Sequence, residues 1–533
     1  MLKSKYVFFL SLVIALLTGC AKRGTITGGA KDTIPPVLLN SNPDNFSTNF
    51  KDDFIKINFN EYIKVKDISK QLIISPPMKN APYIVPSGTA SKFITIKIND
   101  TLQPNTTYSF NFGQSITDNN EGNPYSQFKY VFSTGNYIDS LKTAGTIKDA
   151  LSKKTDNFVN IQLYEAATFK DSTVYKEQPR YVTNTLDSLK AYALENLKEG
   201  KYHLIALKDE NNDYKFDPKK DKIAFLNKPI SIPNDTLFQL ELFKENSPFK
   251  VQKPGQANNS KLLMGYEGNP KKTKITVKNN GIDVPSILSK ASKGDSLQIW
   301  IPKLKTDSLQ ISVDNDSFSK TFTTRIKDMK KIDTLSITPV QSGTLNFRDT
   351  FTVKASTPLV KIDPSRIVIT KKDSSSVAFT TDYNAFEQEL KFDFKKEEEQ
   401  KYKVTLLPGA VKDFYEKEND TLHFTPTTKK LTDYGNLKVV LENVNRFPII
   451  IELLDSKENV VISHYSEKET TLNFDLIEPQ RYTLRIVYDD DKNKEWTTGN
   501  FLEKRQPEEV IYSPKDVDIR ANWEWEERFI LSK

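Results

Sequence analysis

The chain has 533 residues, enough for about three to five domains, and its 37% hydrophobic content excludes wholesale disorder. One cysteine excludes a disulfide framework and a cysteine zinc site, and three scattered histidines (His203, His423, His464) leave little for histidine metal centres or triads. The net charge of +7 is mixed along the chain from 76 basic and 69 acidic residues, too diffuse for a nucleic-acid surface.

At the N-terminus, Lys3 and Lys5 precede an apolar stretch from Tyr6 to Leu17. That stretch is too short to span a bilayer, which takes about 20 residues, but suits a secretory signal. It ends in Leu17-Thr18-Gly19-Cys20, which resembles the lipobox of bacterial lipoprotein precursors. The resemblance implies a signal peptide over 1–19, removal before Cys20, and a diacylglycerol on the Cys20 thiol. Residues 20–34 then read as a flexible tether. With no Asp directly after Cys20, the expected address is the outer membrane, on either its periplasmic or its outer face.

After the tether the pattern turns to short strands. Phe54-Ile55-Lys56-Ile57-Asn58-Phe59 and Phe93-Ile94-Thr95-Ile96-Lys97-Ile98 alternate with period two, as half-buried strands do. Turn residues break such runs about every ten positions, and long helical periodicity is absent, so the expected class is all-β. Five modules are predicted, over 35–136, 137–240, 241–336, 337–430 and 431–533. Sandwiches in series share no core, which predicts an elongated array with modest contacts between modules.

Asp32-Thr33-Ile34-Pro35-Pro36, Phe59-Asn60-Glu61-Tyr62 and Leu102-Gln103-Pro104-Asn105-Thr106-Thr107-Tyr108 make residues 35–134 similar to the bacterial Ig-like domains of S-layer proteins and Bacteroidota surface lipoproteins. Residues 337–428 echo that module. Gly145 to Ala150 and Val159 to Tyr164 resemble the opening strands of a transthyretin-like sandwich. The last module repeats its later part at an offset of 280, with Tyr202 matching Tyr482 and Asp209 matching Asp489. The resemblances imply structural or interactive roles.

Three features could carry chemistry. Asp209, Asn211, Asp213 and Asp217 place oxygens at loop positions 1, 3, 5 and 9, as in a calcium loop. Tyr214 stands where such a loop has glycine and Lys220 where it has a bidentate Glu, so a polar hairpin whose acids cap their own turns is the simpler reading. Asp followed by Ser or Thr recurs and resembles the O-glycosylation sequon of Bacteroidota exported proteins, with acceptors at Thr33, Thr101, Ser140, Thr236, Ser296 and Thr334. Asp ending a turn before a strand accounts for the same pattern. Trp523 and Trp525 lie two apart and share a strand face. They either fill the last module's core, the simpler expectation, or form a platform for sugar rings.

No nucleophile elbow, zinc-protease helix or phosphate-binding glycine loop is present, so no catalytic residue is assigned. The expected function is a non-catalytic, lipid-anchored scaffold that needs no cofactor. Its expected partners are the bilayer, through acylated Cys20, and an outer-membrane β-barrel complex for assembly or nutrient transport. The rival is a glycan-binding surface lipoprotein.

Overall fold

A computed structural model describes residues 32–187, 190–316, 318–329 and 333–531. The fold is all-β, built from paired sheets, and the described helices are single turns such as Ile68–Gln71 and Thr173–Lys176. None is long and apolar enough to cross a membrane. Alternation drives each sandwich: in strand Phe54–Val65, Ile55, Ile57 and Phe59 point inward, while Phe54, Lys56 and Asn58 face out.

The sheets fall into five groups, each around its own apolar cluster. The first and fourth share one topology. Leu38–Asn42, Phe54–Val65, Ser91–Lys97 and Tyr83–Val85 lie side by side in that order, as do Ile337–Pro339, Phe351–Ala355, Glu389–Phe394 and Phe379–Asn384. In both groups a buried tyrosine hydroxyl accepts a backbone N–H five residues upstream: Tyr108 from Gln103 at 2.9 Å, and Tyr402 from Glu397 at 2.7 Å.

The second and fifth share another topology. Strand Leu141–Asp149 pairs antiparallel with Ala191–Leu197 and parallel with Leu237–Leu242. Gly435–Glu442 makes the same two pairings with Thr471–Ile477 and Glu524–Ile530. Here Tyr202 donates to the Lys198 carbonyl at 3.1 Å, and Tyr482 to the Glu478 carbonyl at 2.9 Å. The repeat at an offset of 280 is thus a repeat of strand order and of buried contacts.

The array is tandem, but the modules do not touch sequential neighbours alone. In chain order, Thr107 Oγ1 donates to Asp139 Oδ2 at 2.8 Å, Lys219 meets Glu267 at 3.0 Å, and Tyr415 Oη donates to the Ser260 carbonyl at 2.6 Å. Tyr434 Oη then donates to Asn346 Oδ1 at 3.1 Å. The fifth module finally returns to the second, so modules two to five form a closed circuit and the first projects from it. The expected modest contacts between modules do not hold at that closure, because apolar surface on module two finds its cover there.

Candidate interaction surfaces and the two acidic loops

The closure is built from two outward sheet faces. On module two, whose last strand Leu237–Leu242 runs past the expected boundary at 240, Ile205, Leu207, Phe225 and Phe243 form an apolar cluster into which Phe501 of module five inserts, at 2% exposure. Gly499 makes the approach possible: a Cβ there would lie 2.6 Å from the Phe243 ring. On module five the corresponding face carries charge. Glu452 and Arg485 are cross-strand partners, and their side chains meet at 2.5 Å with 13% and 7% exposure. Arg485 also donates to Tyr512 Oη at 3.2 Å and to the Leu151 carbonyl of module two at 3.1 Å. Thr498 Oγ1 donates to the Lys244 carbonyl at 2.7 Å and the Phe501 N–H to Glu245 at 2.6 Å. Sequence reasoning missed this interface. The available signal was opposite charges inside two apolar strands, Ile449–Leu454 and Arg481–Tyr488.

The Asp209 loop spends its oxygens on its own backbone. Asp209 accepts N–H groups from Asn211 (3.0 Å), Asn212 (2.8 Å) and Tyr214 (2.8 Å), and Asp213 accepts from Lys215 at 2.9 Å. Asp217 accepts from Lys219 at 3.0 Å, and Asn211 Oδ1 receives the Lys220 ammonium at 3.1 Å. Asp221 closes the loop by accepting from Glu210 and Asp217. Burial raises the pKa of Asp209 and Asp221, with neighbouring carboxylates adding to the rise and backbone N–H groups opposing it.

In module five, Glu508 takes the part of Asp221, accepting from Asp491 at 3.3 Å and from Thr497 at 2.8 Å. There Asp489, Asp491 and Glu508 bring carboxylate oxygens within 4.8 Å of one another. The oxygens that converge most closely among the described residues are therefore in the fifth module. Loop spacing, read in either copy, did not reach Glu508, which lies well past the motif.

Cys20 lies outside the described residues. Of the six candidate acceptors, Thr33, Thr101, Ser140, Thr236 and Thr334 are exposed and Ser296 is half-buried. Ser140 and Thr236 immediately precede strands Leu141–Asp149 and Leu237–Leu242, and Ser296 opens Ser296–Trp300, so these three sit at strand entries.

The tryptophan pair corrects the core expectation. Trp523 is 50% exposed and Trp525 41%. Trp525 is on the face of strand Glu524–Ile530 that carries buried Phe529, and Trp523 immediately precedes the strand, but both lie beyond the end of the packed core. The Arg520 guanidinium sits 5.2 Å over the Trp523 ring, and Trp525 Nε1 donates to Glu527 at 3.1 Å. Trp300, by contrast, is fully buried and donates to Ser289 at 2.8 Å. His203 is stacked on Phe169 with ring centroids 4.2 Å apart, as a packed side chain would be.

Between modules one and two lies a cleft of about 1380 Å³, with Leu72, Ile74 and Met78 on one side and Arg180, Tyr214 and Lys215 on the other. The Asp209 loop forms part of its rim. Burial pushes the Tyr214 hydroxyl up to about 12, with the Asp209 charge adding to the rise.

Residues 32–134 match the family described as bacterial Ig-like domain. No curated protein matches the chain. Among solved structures, the surface layer protein SbsC (domains 1–6) is 11% identical, with 91% of this chain and 67% of that one covered and a TM-score of 0.17. A biofilm-associated protein BSP domain is 10% identical over 76% of this chain and 99% of that one, with a TM-score of 0.16. The Bacillus anthracis TIE protein is 11% identical over 95% and 75%, with a TM-score of 0.13. At these values the likenesses carry no argument about fold or function.

Proposed function

We propose that the protein is a non-catalytic scaffold, anchored in the outer membrane by acylated Cys20, that docks an outer-membrane β-barrel protein. The closed circuit of modules two to five carries the reading. A buried aromatic plug and the Arg485 hydrogen bond to the Leu151 carbonyl tie residues far apart in sequence, so the circuit holds its surfaces in fixed relative positions. Open edges are available on it: Val460–Ser466 borders its sheet and presents Val460 and Val461 at 47% and 46% exposure. An extended partner segment could add there as a further strand. The inter-module cleft offers a second contact surface. This role invokes no calcium. Glycans on the exposed Asp-Thr and Asp-Ser turns are compatible with it and are read by glycopeptide mass spectrometry.

Affinity purification of the full chain from native membranes in mild detergent tests the proposal. A stoichiometric β-barrel partner is the expected result, and a monodisperse lipoprotein without a partner would overturn it. The exposed tryptophan pair favours a second reading, glycan binding, in which Trp523→Ala and Trp525→Ala abolish retention on a glycan array.

A further inference from the structure

The first module presents a sheet face that nothing among the described residues covers. Strands Leu38–Asn42, Phe54–Val65, Ser91–Lys97 and Tyr83–Val85 form that sheet, and its inward residues Ile55, Ile57, Ile94 and Ile96 are fully buried. Its outward residues are aromatic and basic. Phe54 is 47% exposed, Tyr62 56%, Tyr83 67% and Phe93 39%. The register aligns Tyr83 with Lys97 and Lys97 with Phe54, and sets Phe93 against Asn58 on the strand that also carries Lys56. Module two packs elsewhere, against Gln71, Ser75 and Thr107 of the first module.

We propose that this face lies on an anionic lipid surface. Charge supports it: Lys56, Lys64, Lys92 and Lys97 belong to the outward strands, and Asp53 is the acid in contact with them, 3.8 Å from Lys97. Glu61, the other acid on these strands, sits in a different charge environment, where burial and then Asp118, Asp32 and Glu121 raise its pKa. The arrangement of rings and ammonium groups suits a lipid surface. Lys56 Nζ lies 4.4 Å over the Phe93 ring and Lys92 Nζ 5.3 Å over Tyr62. Each cation covers one face of its ring. An apolar body under a charged tip is the chemistry of a membrane interface.

Position agrees. Ile34, Val37 and Leu39, which lead into and along the border strand of this sheet, are 66%, 50% and 62% exposed. From Cys20 to Asp32 the chain spans at most about 40 Å even fully extended. The proposal takes its bilayer from the anchor reading and adds an orientation to it: module one lies flat on the membrane and holds the circuit away from it.

The test is co-sedimentation with vesicles of residues 20–533 carrying Cys20→Ser, which keeps all five modules and removes the acyl group. Vesicles of phosphatidylglycerol and phosphatidylcholine in a one-to-three mixture are compared with pure phosphatidylcholine. Binding is expected to the anionic vesicles alone and to weaken with salt. Each surface lysine is worth roughly fivefold in affinity, so Lys56→Gln with Lys97→Gln should weaken binding about 25-fold. Lys320→Gln with Arg325→Gln, on the third module, should leave it unchanged. Equal binding to neutral vesicles, no binding to anionic ones, or an unaffected Lys56/Lys97 variant would each overturn the proposal. Palmitate labelling of the wild-type chain reads Cys20 acylation separately, so failure of the anchor and failure of the face are distinguishable.

Discussion

Modules two and five are the same sandwich used in two ways. Their strand order, parallel closing pair and buried tyrosine contact coincide. At one matched pair of outward positions they differ: module two has Gln162 beside Ile205, and module five has Glu452 beside Arg485. The apolar version is covered by the inserted Phe501, and the charged version by the Leu151 carbonyl and Tyr512. Two copies of a fold can therefore close a circuit without being symmetric partners, because each face is completed by a loop of the other module.

The largest test breaks the charged version. Glu452→Ala leaves the Arg485 guanidinium buried without its carboxylate and should cost about 3–5 kcal/mol in chemical unfolding. Installing the residues of module two, Glu452→Gln with Arg485→Ile, removes both charges. It should return stability to within about 1.5 kcal/mol of the parent. The Leu151 carbonyl still receives Tyr512 Oη, at 2.5 Å, so no acceptor is stranded. A double variant as unstable as the single one would show that the pair matters for more than compensated burial.

Next comes the apolar version. Phe501→Ala empties a site at 2% exposure and should cost about 3 kcal/mol. Phe501 belongs to one module's loop and the other module's cluster, so the loss should fall on the circuit more than on either sandwich. Small-angle scattering should then report a larger radius of gyration. Gly499→Leu should give the same expansion by collision with Phe243, and an unchanged radius would mean that other contacts hold the closure.

A smaller effect separates two acidic turns. Burial raises the native pKa of Asp209 and Asp221. Burial also opposes charge at Asp118, yet N–H groups of Gly122, Asn123, Glu121 and Asn120 outweigh it and lower the pKa. A raised carboxyl contributes stability below its unfolded value, near 3.9, and loses it as pH rises through the native value. A lowered one contributes above the unfolded value and loses it as pH falls. As pH rises from about 4 the loop 209–221 should therefore lose hydrogen-exchange protection, after correction for intrinsic rates, while the loop 118–123 should not. Parallel behaviour of the two loops would contradict this.

The strand class was legible because period-two alternation reports which side of a sheet a residue faces. Ile55, Ile57 and Phe59 show this directly, and the matched Tyr202 and Tyr482 signal the repeat. Alternation does not report how far along a strand the opposite sheet extends, and that is why Trp523 and Trp525 read as core. Oxygen spacing in the Asp209 loop was legible too, but the direction of each carboxylate depends on turn geometry, and Glu508 joins its loop from outside the motif. The module closure was hidden for a related reason: local pattern does not say which distant loop will cover a face.

The tryptophans supply the smallest and sharpest test. Trp300 is buried in module three, and Trp300→Ala should cost about 3–5 kcal/mol. Trp523→Ala and Trp525→Ala remove rings half open to water beyond the packed core, and each should change stability by no more than about 0.5 kcal/mol. Thermal unfolding of the three variants side by side checks this. A cost above about 1 kcal/mol at Trp523 or Trp525 would return the pair to the core. A negligible cost means that the fifth module folds without them, so any contribution of these indoles is to what the module meets.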